Sequence, residues 1–249
     1  MAYVFKDRGP PPPWSEFKRR APHTCLTPFY ALSWFSDWAA YALGKWPFVE
    51  LLEYLGSFSI LFAAIVYFVG APDRLKQKHY QAWQVINTAE GKGGNGGRID
   101  ALEELNRDHV SLIGVNVAGA YLQDLRLEGA RARRATFGES DLRDSDFQHA
   151  SLPDADFHYA NLRRADLHDS DLAGANFADA DLVGADFSGA DLAGVTLDRA
   201  DLRDANLAAI KNWQDIKHLD HANILGVRNA PAGFVPWAVK NGAVELKTD

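Results

Sequence analysis

The chain has 249 residues, enough for one large domain or two modest ones. Its net charge of -7 excludes a chain-wide phosphate-binding surface, which needs clustered Lys and Arg, so no nucleic acid is expected as a partner. The single cysteine, Cys25, excludes an intrachain disulfide framework and reads as a small apolar side chain.

Residues 1–47 begin with a stiff polyproline tail at Pro10–Pro13, followed by the basic cluster Lys18, Arg19 and Arg20. The aromatic stretch CLTPFYALSWFSDWAAYALGKWPF, broken by Asp37, fits two arrangements: a helix lying at a membrane interface, or a short first span of a hairpin. Trp34, Trp38 and Trp46 are its candidate contacts with lipid or with a partner. Tyr54 to Pro72 then runs nineteen residues without a charge, close to the roughly 20 needed to cross a bilayer, so residues 48–72 are expected to form a transmembrane helix. The run is too long for a signal-peptide core, and no small-residue cleavage pattern follows it. Arg74, Lys76 and Lys78 come directly after, and the positive-inside rule places everything downstream in the cytoplasm, on the inner face of a bacterial inner membrane.

Residues 73–109 read as a helix to about Thr88, a flexible linker, and a short capping helix with apolar Ile99, Leu102 and Leu105. The linker EGKGGNGGR is no phosphate-cradling loop, because no Gly-Lys-Ser/Thr and no preceding strand accompany it.

From Val110 to Ala209 the chain obeys a period of five. Of the twenty central positions from Leu112 to Leu207, eighteen are Leu or Phe; two residues earlier thirteen are Ala, and between them thirteen are Asp or Asn. Each unit thus points one small and one large apolar residue inward and turns a corner before the next. Four corners close a squared coil of twenty residues, a solenoid in which each coil buries its neighbours' faces. Centres twenty apart support that closure. Leu122, Leu142, Leu162, Leu182 and Leu202 form one column, Phe137, Phe157 and Phe177 another, and Phe147 with Phe187 fall on the face opposite the latter.

These A[DN][LF]xx units in tandem resemble the pentapeptide-repeat family. The resemblance implies an all-β solenoid, a right-handed quadrilateral β-helix of about five coils, here preceded by the transmembrane helix and flanked by short helical caps. Tyr121, Arg126 and Arg131 replace Asp/Asn and Ala132 replaces Leu/Phe, so the first coil is expected to be irregular, as capping repeats tend to be. The phase fails after Ala209. Residues 210–249 are expected to cap the open end, with a short helix around Trp213 and Ile216, a last off-phase strand, and a helix from Phe234 stopped by Gly242.

A convex rod with apolar inward residues offers no cleft for catalysis, so no enzyme and no cofactor is expected. Asp141, Asp181 and Asp201 with Arg143, Arg163 and Arg203 read as a solvated charged face. His149, His168 and Asp169 fall together by the twenty-residue geometry without the three or four held ligands a metal requires, and His218 with His221 does no better. Arg126, Arg131, Arg133 and Arg134 form the densest basic patch and the candidate surface for anionic headgroups or an acidic partner.

The expected role is a non-catalytic, membrane-anchored scaffold, tied to the lipid bilayer and docking another membrane protein or complex. The alternative comes from the resemblance: some family members resemble duplex DNA in shape and charge and act on topoisomerases. Val110–Ala209 carries eighteen acidic residues against nine Arg, which fits that alternative, while the interspersed Arg counts against it.

Overall fold

The computed structural model describes residues 9–19, 27–45, 47–88 and 96–247. Arg20, Cys25, Trp46 and most of the Gly-rich linker lie outside the described residues. The chain divides into two compact units, Met1–Arg74 and Leu75–Asp249, each described by itself.

In the first unit the carbonyl of Pro13 accepts from the amides of Glu16 and Phe17, which starts α1 (Trp14–Arg19) where a proline costs no helical bond. Helix α2 (Thr27–Gly44) presents Trp34, Trp38 and Tyr41 on one face, and the proline arm lies there: the Trp34 indole Nε1 donates to the Pro12 carbonyl at 2.8 Å. Helix α3 (Pro47–Val69) is apolar over its described surface.

The expected span over 48–72 is interrupted. Helix α3 ends at Val69, Gly70 sits in a turn, and α4 (Ala71–Thr88) begins at once. Pro72 has no N–H to give the Phe68 carbonyl, and glycine is the poorest helix former after proline, so the ladder breaks here. Arg74 folds back over the break, its guanidinium donating to the Tyr67 carbonyl at 2.5 Å and lying 4.3 Å from the Tyr67 ring. Among the described residues no single helix is long and apolar enough to cross a membrane; Phe58–Val69 and Ala71–Thr88 meet that test only together, as a bent pair.

The second unit is built on the coils. Among the described residues no extended strand forms. Each face contributes a single parallel bridge residue paired twenty positions on, from Asn116↔Thr136 to Asp191↔Lys211. A corner every five residues leaves no room for a longer ladder. The corner itself is a β-turn, with the amide of Val115 donating to the Leu112 carbonyl and likewise around every coil. Its third residue always has positive φ, from Gly114 at 70° through Tyr159 at 55° to Arg199 at 57°, as a type II turn demands.

Backbone amides in the coils are almost fully accounted for. Around Leu142, for example, the Leu142 and Asp144 amides pair with the next coil, the Asp141 amide with the previous one, and the Ser145 amide closes the turn. That leaves the Arg143 amide, and Asp141 Oδ1 accepts it at 3.3 Å. The same side-chain acceptor two residues back serves Gln148, His168, Ala173, Ser188 and Ala193. The repeated Asp or Asn is therefore the fifth acceptor of the units that carry it, an Asx turn in every coil. Where Ser151 replaces it, Pro153 follows at the orphan position and has no N–H to satisfy.

The core is the stack of inward residues. The columns Leu122, Leu142, Leu162, Leu182 and Leu202, and Phe137, Phe157 and Phe177, are all buried. Phe157 lies parallel to Phe137 at 5.0 Å and to Phe177 at 4.8 Å, close to the spacing of neighbouring β layers. Phe147 meets Phe137 and Phe157 edge-on, and Phe187 meets Phe177 the same way.

Two expectations about the ends change. The first coil is regular: Tyr121, Arg126 and Arg131 bridge to Asp141, Asp146 and Ser151 in the common register, and Ala132 is fully buried. Coil pairing is made by backbone groups, which the side chains at these positions leave intact. Helix α5 (Arg98–Arg107) covers that edge, Glu103 accepting the Arg126 amide at 3.0 Å and Asn106 donating to the Glu128 carbonyl at 2.9 Å. Helix α4 is fixed to α5 by Lys78–Glu104 at 2.9 Å and His79–Asp108 at 2.8 Å.

At the other end the coils continue past Ala209. A single 3-10 turn, Trp213–Asp215, takes up two extra residues, after which Thr196↔His218, Asp201↔Asn223 and Asn206↔Arg228 pair twenty-two apart. Leu219 and Ile224 re-enter the core columns. Helix α6 (Phe234–Lys240) then closes the end through Phe234 and Trp237 against Trp213, and the amide of Val244 adds a last rung to the Ala222 carbonyl.

Candidate interaction surface

With the inward positions consumed by packing, the side chains the coils present to solvent are those at bridge and corner positions. The corners carry the charge. Arg164 makes a two-pronged contact with Asp144, both at 2.7 Å, and Arg199 does the same to Asp179 at 2.6 Å, each pair twenty residues apart. Arg143 and Arg203 fold onto the bridge aspartates Asp141 and Asp201 of their own coils, and Arg163 reaches Asp181 at 3.0 Å. The guanidinium beside each holds the carboxyls of Asp141, Asp144 and Asp179 below the usual carboxylate range. The expected Asp and Arg ladder is thus a set of closed pairs.

The four-arginine patch is brought together only in part. Arg133 reaches Asp154 at 3.3 Å and Arg134 approaches the same carboxylate at 3.9 Å. Arg131 and Arg126 stand at bridge positions on two successive faces. The histidine cluster does assemble. His149 and His168 rings lie 5.7 Å apart, Asp169 is 3.1 Å from His168, and His168 Nδ1 meets Ser188 Oγ at 2.8 Å. No group of three or more His, Cys, Asp or Glu among the described residues could hold a metal ion. His218 sits at a bridge and His221 pairs with Asp220 at 2.9 Å.

Three features escaped sequence reasoning. The cross-coil pairs Arg164–Asp144 and Arg199–Asp179 were signalled by opposite charges at one corner position twenty apart. His158 lies over Gly138, where any Cβ would meet its ring at 2.3 Å, and its Nδ1 contacts Asp156 at 2.9 Å. In the first unit, Trp34 and Trp38 are half-covered, and the Trp34 indole donates to the chain's own proline arm, because indole donors and proline carbonyls complement one another. Trp46 lies outside the described residues.

A family model described as pentapeptide repeats matches residues 111–148, 133–169 and 170–207, with eight copies. Over that span the chain carries pentapeptide repeats. Among solved structures, the chain is similar to HetL, a pentapeptide repeat protein involved in heterocyst differentiation regulation in the cyanobacterium Nostoc. The identity is 28%, over 47% of this chain and 48% of HetL, with a TM-score of 0.37. The chain therefore spans about half of HetL's length. A pentapeptide repeat protein of the Arabidopsis thaliana thylakoid lumen is 24% identical over 53% of this chain and 88% of its own, with a TM-score of 0.32. QnrB1, a plasmid-mediated fluoroquinolone resistance protein, is 16% identical over 57% and 80%, with a TM-score of 0.26. No curated protein matches.

Proposed function

We propose that this pentapeptide-repeat protein is a non-catalytic scaffold, anchored in a bacterial inner membrane through α3, whose coils dock another membrane protein on the cytoplasmic side. One observation carries the reading. Between Tyr54 and Val69 no residue is charged, and Phe58, Ile60, Leu61, Phe62, Ile65, Val66, Phe68 and Val69 are each more than half exposed. An apolar surface of that extent needs cover, and lipid is the cover that accepts every side of a helix at once. The sixteen uncharged residues measure about 24 Å at 1.5 Å per residue, short of the roughly 30 Å hydrocarbon layer. Local thinning of the bilayer makes up the difference.

The closed ion pairs on the coils support a docking surface over a duplex mimic, since Arg143, Arg164 and Arg199 interrupt the negative field. Alkaline washing of native membranes tests the anchor. The full-length chain stays in the pellet, and Leu61→Arg with Ile65→Arg releases it; wild-type protein in the wash would sink the proposal. Cross-linking from Lys76, Lys78 or Lys240 in mildly solubilised membranes then names the partner.

A further inference from the structure

We infer that the aromatic face of α2 is a binding site for proline-rich segments with a basic flank, and that Pro10–Pro13 occupies it in cis. The inference stands on the first unit alone and does not depend on the membrane reading. Four consecutive prolines offer carbonyls and no amide donors, while an indole offers a donor and no acceptor. The two meet where Trp34 Nε1 donates to Pro12 at 2.8 Å. Trp14 lies 5.5 Å from Trp34, Trp34 lies 6.3 Å from Trp38, and Trp38 lies 5.8 Å from Tyr41. Positions 34, 38 and 41 share one helix face, giving the row of ring edges and slots that receives flat pyrrolidine rings.

The arm does not fill the site. The Trp38 indole N–H is shielded from solvent and meets no acceptor among the described residues. A cavity of about 340 Å³ remains between Gly9, Pro10, Pro11 and Pro12 on one side and Asp37, Ala40 and Tyr41 on the other. A ligand seated one carbonyl deeper would satisfy Trp34 and Trp38 together. Asp37, exposed on the cavity wall, selects for charge: an Arg or Lys beside the prolines would meet its carboxylate. The occupant is therefore a proline-rich segment of another protein carrying a cationic neighbour. A tethered arm competes at millimolar effective concentration, so the site is closed until such a segment displaces it.

The test is a fluorescence titration of the full-length protein with two tryptophan-free peptides, octaproline and arginine-flanked octaproline. Pro11→Ala with Pro12→Ala weakens the arm, and that variant is expected to bind the arginine-flanked peptide about tenfold more tightly than the wild type. Trp34→Phe in the same background keeps the ring, removes the donor and abolishes that gain. Asp37→Asn erases the preference for the arginine-flanked peptide over plain octaproline. Equal affinities in wild type and arm variant, or full binding by the Trp34→Phe variant, would overturn the proposal. So would dimerisation of the wild type lost in the arm variant, which would assign the site to the arm of a second copy. Far-UV circular dichroism of each variant separates loss of binding from loss of fold.

Discussion

On the inward side of the coils, positions 137, 157 and 177 are all Phe, buried and stacked ring on ring; two residues along the chain, positions 139, 159 and 179 are Glu, Tyr and Asp. The backbone at those corners is nevertheless the same, each with a φ of 55° to 60°. Inward residues are constrained by a neighbour above, a neighbour below and no solvent, so a column admits only apolar side chains, as the alternation Phe147, Leu167, Phe187 shows. Corner residues need only tolerate a left-handed backbone and find a partner in water. The solenoid thus separates what folds it from what it can recognise, and substitutions can probe how complete that separation is.

The largest effect is expected inside. Phe157→Ala removes a ring stacked on both sides and met edge-on by Phe147. It should cost about 3–5 kcal/mol in denaturant unfolding of the coils, because flanking rings held at layer spacing cannot collapse into the gap. A loss below about 1 kcal/mol would mean the column is not a cooperative stack.

Corner backbone comes next. Gly129 has a φ of 63° with nothing within 4 Å of a built Cβ, so Gly129→Ala isolates the backbone term and should destabilise by about 1–2 kcal/mol. Glu139→Gly, at a φ of 60°, should move stability the other way. Equal and opposite shifts would show that corner side chains contribute little beyond their backbone strain.

The bridge aspartate sits between the two regimes, outward in position and structural in role. Asp171→Ala orphans the Ala173 amide and should cost about 1 kcal/mol. Asp171→Asn keeps the acceptor and should be near neutral. Ala173→Pro removes the orphan donor, as Pro153 does one coil earlier, so the double variant Asp171→Ala with Ala173→Pro should recover most of the loss. Simple additivity of the two changes would show that the Asx bond is not what the repeat selects.

How much of this was legible follows the same division. The columns could be read by counting in twenties, because burial on a fixed coil repeats a residue type. The last coil was read only as an off-phase strand within a cap, because counting kept one phase. Ala222-Asn223-Ile224 is a further unit displaced by two residues, absorbed by the turn at Trp213–Asp215, and backbone pairing tolerates the extra loop as long as Leu219 and Ile224 return to the core. On the surface, the pattern marked Arg133 and Arg134 as a basic patch but not that Asp154, one coil on, shares both. The first unit has no period. Its Trp34–Pro12 contact spans twenty-two residues and depends on how an extended arm meets a helix, which hydrophobic spacing does not encode.

The smallest effect is expected from the corner ion pairs, and it is the one that pH can switch. The Arg199 guanidinium holds the Asp179 carboxyl below its ordinary 3.8, and Arg164 does the same for Asp144. A carboxyl whose folded value lies below its unfolded one contributes stability above the unfolded value, and that stability is lost as pH falls through the folded one. Asp179→Asn should therefore unfold slightly earlier than wild type at neutral pH, and the gap should close as pH falls below about 3.8. Added salt should narrow it as well, since both partners face solvent. The Phe157→Ala deficit has no titrating group behind it and should persist across the same pH range. If instead the two deficits fell together on acidification, the corners would be coupled to the core, and the division between folding and recognition surfaces would fail.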